Sequence, residues 1–199
     1  MKFAIMKKIL TYIILPLMIV HILLRFFSSV ENVCDMDQNS FKKERTNAFK
    51  GANIVLQFVF FMLFYPEFCS IFYHRNGKIG KVLSIFCPPQ RCLYIRASRE
   101  NLGGGLVVKH GHSTEINARK IGVNCHIFQN VTIGTRGSSI GPTLGNNVFV
   151  GTGAVILGNI SIGNNVRIGA NATVVKDVPD NTTVVPAPNI FIPSSRAPR

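Results

Sequence analysis

From Ile121 onward the chain keeps a period of six. Ile121, Ile127 and Ile133, then Leu144, Val150, Ile156, Ile162, Ile168 and Val174, form two phased trains of branched apolar residues. The position four on is small or apolar at Cys125, Val131, Val148, Ala154, Ile160, Val166, Ala172 and Val178. The position three on holds Asn124, Asn130, Asn147, Gly153, Asn159, Asn165, Asn171 and Asp177, with Arg136 the exception. Asn, Gly and Asp tolerate a left-handed backbone at low cost, so each hexad reads as a short strand plus a turn. Three hexads close one triangular coil with the branched residue inside, and stacked coils bury one another's apolar edges. That is a mainly-β fold, a hexapeptide β-helix. A sandwich needs strands of about five or six residues alternating with period two, and a turn every six residues leaves no room for them.

Composition divides the chain. It is 47% hydrophobic with mean hydropathy +0.26, and the excess sits in the first hundred of its 199 residues. With 22 Lys and Arg against 9 acids the net charge is +13, which favours anionic partners. No zinc-finger spacing, RNA-binding signature or helix-turn-helix pattern supports nucleic acid, so an anionic membrane surface is the better match to an apolar, basic first half. Cys34, Cys69, Cys87, Cys92 and Cys125 are odd in number and follow no disulfide or metal-ligand spacing.

Residues 1–50 read as an apolar leader or membrane-anchoring segment and a linker. Within them, residues 9–24 are largely apolar, preceded by Lys7 and Lys8 and followed by Arg25. No small-x-small cleavage site follows, and the run approaches the ~20 residues of a spanning helix only if its neighbours join it. Residues 31–50 read as a linker or a loose helix start. Residues 51–105 read as a helical region that lies on a membrane surface or caps the solenoid. In it a twelve-residue apolar run stops at Pro66, and a basic amphipathic helix breaks near Asn76-Gly77. Residues 106–188 are the β-helix and 189–199 a polar tail.

Perfect repeats only pack, so function is sought where the phase slips. It slips around KHGHSTEINARK, where Ile116 and Ile121 are five apart, and again between Ile133 and Leu144. His110 and His112 both lie in the first slip, and an imidazole titrates near neutrality, as a general base must. His126 occupies an outward hexad position. There is no G-x-S-x-G elbow, Walker motif or dinucleotide fingerprint, and the solenoid's acids are only Glu115, Asp177 and Asp180. A three-histidine metal site would need His110, His112 and His126 to converge.

The run GGGLVVKHG, then IGVNCHIFQNVTIG, then GPTLGNNVFVGTGAVILGNISIGNNVRIGANATVVKDVP resembles the hexapeptide-repeat acyltransferases, above all the serine O-acetyltransferases and related O-acetyltransferases of surface-polysaccharide pathways. The resemblance covers about residues 85–188. It implies a left-handed parallel β-helix, a homotrimer, and acetyl-CoA as co-substrate in a groove between subunits, with no metal. It also implies that His110 deprotonates the acceptor hydroxyl. A hydroxyl attacking a thioester further needs a donor for the developing oxyanion, from a backbone N–H near Gly134 or a polar side chain. Candidates to line the pantetheine arm are Gly134, Thr135, Gly151, Thr152 and Gly153; candidates for the phosphates are Arg136, Arg167 and Lys176.

Two departures qualify the resemblance. The family carries Asp before the catalytic histidine, where this chain has Lys109, which leaves Glu115 as the candidate orienting acid. The family also carries a second histidine, which helps hold serine, in the loop that here reads TRGSSIGPTLGNNV. These departures and the apolar, basic N-terminal half favour a saccharide hydroxyl of surface-polysaccharide synthesis as acceptor, at the cytoplasmic face of a membrane. The alternatives are serine O-acetylation for cysteine biosynthesis, and a non-catalytic or metal-binding solenoid.

Overall fold

The computed structural model describes residues 2–45, 52–137 and 139–187; the proposed tail at 189–199 and the end of the proposed linker lie outside these residues. The six-residue period becomes three parallel walls. Wall A stacks β1 (Leu93–Ile95), β3 (Thr114–Ile116), β6 (Thr132–Gly134), β9 (Val155–Leu157) and β12 (Thr173–Val174). Wall B stacks β4 (Lys120–Ile121), β7 (Thr143–Leu144) and β10 (Ser161–Ile162). Wall C stacks β2 (Val107–Val108), β5 (His126–Ile127), β8 (Phe149–Val150), β11 (Arg167–Ile168) and β13 (Thr183–Val184). The chain runs C to A to B in each coil. Ile121, Ile127, Ile133, Leu144, Val150, Ile156, Ile162, Ile168 and Val174 all point inward and are buried, as the hexads predict.

The turns refine the expectation. Asn124, Asn130, Asn147, Asn165 and Asn171 hold φ between 56° and 59°, and Gly153 holds +71°. Asn159 and Asp177 do not adopt the left-handed region, contrary to their hexad position. They fall at the A-to-B corner, where Gly158 takes φ +105° and Asp177 instead accepts a 2.8 Å hydrogen bond from the Ser161 N–H. At the B-to-C corner Asn147, Asn165 and Asn181 stack, amide to amide, at 3.0 and 2.9 Å. This ladder satisfies polar groups that the narrow coil cannot bury.

The helices precede the solenoid and cover its first coil: α1 (Lys2–Ile14), α2 (Ile19–Phe27), α3 (Glu31–Arg45), α4 (Ile54–Phe64), α5 (Pro66–Arg75) and α6 (Gly77–Leu83). Asn53 caps α4 by accepting from the Leu56 N–H at 2.9 Å, and Pro66 opens α5 where its missing N–H costs nothing. Glu31–Arg45 is a helix rather than a linker because Cys34, Asp37, Gln38 and Phe41 form a buried stripe at helical spacing. Two of those four are polar, and both meet arginines. Gln38 accepts from Arg25 Nε at 3.0 Å, and Asp37 takes the Arg75 guanidinium through both oxygens at 3.0 and 3.1 Å. Arg75 also donates to the Leu102 and Gly103 carbonyls, while Asp37 Oδ1 accepts from the Leu106 N–H at 3.0 Å. This one buried cluster joins α3 and α5 to the entry of the solenoid.

Candidate functional site

His110 lies at the corner between walls C and A. Lower down that corner, Ile127 and Ile133, Val150 and Ile156, and Ile168 and Val174 are each six apart; the equivalent Val108 and Ile116 are eight apart. The two extra residues force an excursion in which His110 (φ 61°) and Ser113 (φ 49°) are left-handed. Both His110 and His112 are exposed on it. The residue between them is closely packed: a Cβ on Gly111 would stand 3.1 Å from Gln90 Cγ and 3.2 Å from both Glu67 Cγ and Leu93 Cδ2, so these side chains would have to give way. The start of α5 and the segment before β1 therefore press on the back of the turn.

Gln90 fixes one of the two imidazoles. Its backbone N–H donates to the Pro66 carbonyl at 3.0 Å and to Ser70 Oγ at 2.9 Å, which holds the residue against α5. Its side-chain Nε2 lies 3.1 Å from the Arg91 carbonyl and 3.0 Å from His112 Nδ1. A carbonyl only accepts, so this end of the amide is the NH2. Nδ1 of neutral His112 is then the acceptor, and its proton sits on Nε2. Neutral His112 is a hydrogen-bond donor at its free nitrogen, which leaves His110 as the imidazole of this turn available to act as base.

The other predicted residues fall into two groups. Gly151, Thr152 and Gly153 share the C-to-A corner with His110, in a column linked by Asn130 N–H to the His112 carbonyl (2.9 Å), Gly153 N–H to the Gln129 carbonyl (3.1 Å) and Asn171 N–H to the Thr152 carbonyl (2.8 Å). Arg167 lies beside this column on wall C, its guanidinium 4.4 Å from the centre of the Phe149 ring. Gly134, Thr135, Arg136 and Lys176 instead lie at the A-to-B corner, with the enlarged loop between β6 and β7. One chain therefore does not bring the two sets together. The fold itself accounts for both glycines: a Cβ on Gly151 would stand 2.8 Å from the Ala170 backbone N, and Gly153 holds φ +71° with an added Cβ 2.2 Å from Asn171 Oδ1.

Glu115 sits on wall A between the two corners and is engaged elsewhere, accepting from Arg96 Nε at 2.9 Å. Lys109 turns towards wall C, where it pairs with Glu44 and lies 5.0 Å from the centre of the Phe128 ring. Glu44 also approaches His126 Nδ1 at 3.4 Å; burial nevertheless lowers the His126 pKa, partly offset by that carboxylate. Lys109, Glu44 and His126, with Lys43, Phe149 and Arg167, line a cavity of about 470 Å³. A larger groove, about 1290 Å³, runs from Lys78 and Arg99 to Gln90 and Leu93 behind the histidine turn. Burial pushes the Cys125 thiol up to about 11, which makes it a core residue rather than a nucleophile. Among the described residues no three His, Cys, Asp or Glu are grouped to hold a metal ion. Gln90 had no sequence signal beyond the proline pair that stiffens the chain before it.

The family of bacterial transferase hexapeptides (six repeats) matches residues 141–176. The chain is 50% identical over 95 residues to the serine acetyltransferase of Synechococcus elongatus, covering 46% of this chain and 39% of that protein. It is 45% identical over 102 residues to the chloroplastic serine acetyltransferase 1 of Arabidopsis thaliana, covering 49% of this chain and 32% of that one. The chain thus spans well under half the length of these curated relatives. Among solved structures, the serine acetyltransferase of Neisseria gonorrhoeae in complex with serine superposes with TM-score 0.57 at 28% identity, over 83% of this chain and 70% of that one. The serine acetyltransferase of Brucella abortus gives 0.58 at 26%, with the same coverage. These relatives overturn the saccharide reading of the acceptor, since all of them are serine acetyltransferases and one was captured with serine. Of the features that suggested a sugar, Lys109 and the histidine-free loop concern how the site is oriented, and the apolar, basic N-terminal half concerns the surface the chain lies on; none of them specifies a glycan.

Proposed function

We propose that this chain, which belongs to the serine-acetyltransferase-like family of hexapeptide-repeat, left-handed β-helix acyltransferases, moves the acetyl group of acetyl-CoA to the hydroxyl of serine. The observation that carries the reading is the two-residue excursion that lifts His110 out of the C-to-A corner. His110 removes the hydroxyl proton as the serine oxygen attacks the thioester carbonyl. A tetrahedral oxyanion forms, then collapses to the ester. The C–S bond breaks, and the imidazolium returns its proton to the departing thiolate, so the enzyme ends unchanged and no acyl-enzyme forms. Three copies would assemble so that the His110 corner of one chain faces the Gly134–Arg136 corner of the next, which gives the two separated residue sets one groove. Thiol release from acetyl-CoA with L-serine tests the activity. His110→Ala should lose at least about 100-fold in turnover, within the usual worth of a general base; unchanged turnover would refute the assignment.

We further propose that the protein works on the cytoplasmic, anionic face of a lipid bilayer, where acetyl-CoA is at hand. Residues Ile9–Phe27 are long and apolar enough to cross a membrane, with mean hydropathy 2.2. Their polarity is inverted for a helix facing water. Thr11, His21 and Arg25 are buried and bonded to Lys7 O, Tyr73 Oη and Gln38 Oε1, whereas Leu17 and Phe27 are 79% and 84% exposed. Alongside, Phe86 lies 6.2 Å from the His21 ring and is exposed with Val82 and Ile85, with Lys78 and Lys81 at their edge. An apolar face rimmed by lysines suits a helix lying in the headgroup boundary. The protein should sediment with phosphatidylserine vesicles and much less with phosphatidylcholine, and Leu17→Glu should weaken the binding. Equal recovery in the supernatant with and without vesicles would refute it.

A further inference from the structure

We infer that Gln90 is a positioning residue that holds neutral His112 with its proton on Nε2, and that His112 gives that proton's hydrogen bond to a negatively charged oxygen of the bound reactants. The inference rests on the acetyl transfer proposed above and adds a residue to it. Three observations support it. The Gln90 amide is oriented independently of the histidine, because its NH2 also meets the Arg91 carbonyl at 3.1 Å. Gln90 itself is held by its backbone on Pro66 and Ser70, so α5 anchors it. His112 is exposed on the same two-residue excursion as His110, two positions from the proposed base, and its one bonded ring nitrogen is the Nδ1 that meets Gln90.

The division of labour follows from the two nitrogens. A base needs a lone pair and an oxyanion or carboxylate needs a donor, and one turn of chain carries an imidazole for each. Two oxygens in the proposed reaction carry negative charge: the acceptor's carboxylate, present throughout, and the thioester oxygen, charged only after attack. The donor chemistry is the same, and kinetics separate the two. A contact to the carboxylate sets KM for serine, whereas a contact to the developing oxyanion sets kcat.

Magic-angle-spinning 15N NMR of the full chain, labelled at its five histidines, reads the tautomer without any substrate. His112, identified by the signal lost in His112→Gln, should be protonated at Nε2 at a pH where it is neutral. Gln90→Glu places an acceptor where the donor was and should move the proton to Nδ1. In the acetyl-transfer assay His112→Ala should lose about 10- to 100-fold, His112→Gln, which keeps an N–H donor, should recover part of it, and Gln90→Glu should fall with His112→Ala. A loss in KM assigns the carboxylate and a loss in kcat the thioester oxygen. An Nδ1–H signal in the wild type, or His112→Ala activity within about twofold of wild type, overturns the inference while leaving the transferase intact. An Nε2–H signal in a protein that transfers no acetyl group overturns both the proposed reaction and the donor role built on it.

Discussion

Replacing Asp37 by Ala should be among the most destabilising single changes in the helical region. Asp37 and Arg75 are each 2% exposed, and the carboxylate answers three donors: Arg75 Nε, Arg75 Nη2 and the Leu106 N–H. Without it, a buried guanidinium keeps two carbonyls but no counter-charge, and Leu106 loses its acceptor. Breaking a buried pair by removing one partner costs about 3–5 kcal/mol. For a chain of this size each kcal/mol corresponds to about 2–4 °C in Tm, so about 4 kcal/mol predicts a fall of about 8–16 °C by circular dichroism. Arg96→Gln is the control, because that arginine meets Glu115 in the open, its side chain 60% exposed, and such pairs contribute at most about 1 kcal/mol. A double replacement, Asp37→Leu with Arg75→Met, removes both charges and should recover much of the loss. If Asp37→Ala costs no more than Arg96→Gln, the cluster does not join helices to solenoid as described.

Acid should weaken the fold through His74 and His126, whose pKa values burial lowers; in His74 the ring also meets the Ala97 carbonyl at 2.9 Å. Above about pH 6.5, the ordinary histidine value, neither folded nor unfolded chain is protonated there and nothing changes. As pH falls through that value the unfolded chain takes up protons that the folded one resists, so stability declines; urea midpoints at pH 8 and 5.5 should differ accordingly, and less so in His74→Gln. Gly153→Ala combines φ +71° with a Cβ 2.2 Å from Asn171 Oδ1, whereas at Gly137, φ +66°, a Cβ meets nothing within 4 Å. Equal Tm losses in the two alanine variants would show that backbone strain alone, not the stacked asparagine, selects glycine at 153.

The solenoid was legible because its signal is local and repeated. An inward branched residue every six positions leaves one way to bury them all, and the structure buries each of the nine. The α3 stripe was not legible because Asp37 and Gln38 are polar and are buried by virtue of Arg75 and Arg25, which lie on other helices, 38 and 13 positions away. The inverted polarity of Ile9–Phe27 was hidden for the same reason: which side of an apolar helix faces out is decided by its partners. At the site, His110 stood out as a histidine in a phase slip. Gln90 did not, since its role is the orientation of an amide on a residue 22 positions away.

The separation of the candidate residues makes the assembly testable through chemistry. His110 with Gly151–Gly153 occupies one edge of the prism, and Gly134–Arg136 with Lys176 the next edge along wall A. If each groove joins unlike edges of two neighbouring copies, His110→Ala damages one side of every groove and Arg136→Glu the other. In trimers formed by refolding an equal mixture of the two variants, a groove is intact when its histidine edge comes from the Arg136→Glu chain and its loop edge from the His110→Ala chain. Random assembly gives roughly a quarter of grooves that composition, as closed head-to-tail symmetry requires. The mixture should therefore regain about a quarter of wild-type turnover, although each variant alone is nearly inactive. A mixture no more active than the average of its parts would mean that both edges serve a site within one chain, or that the second edge takes no part in the reaction.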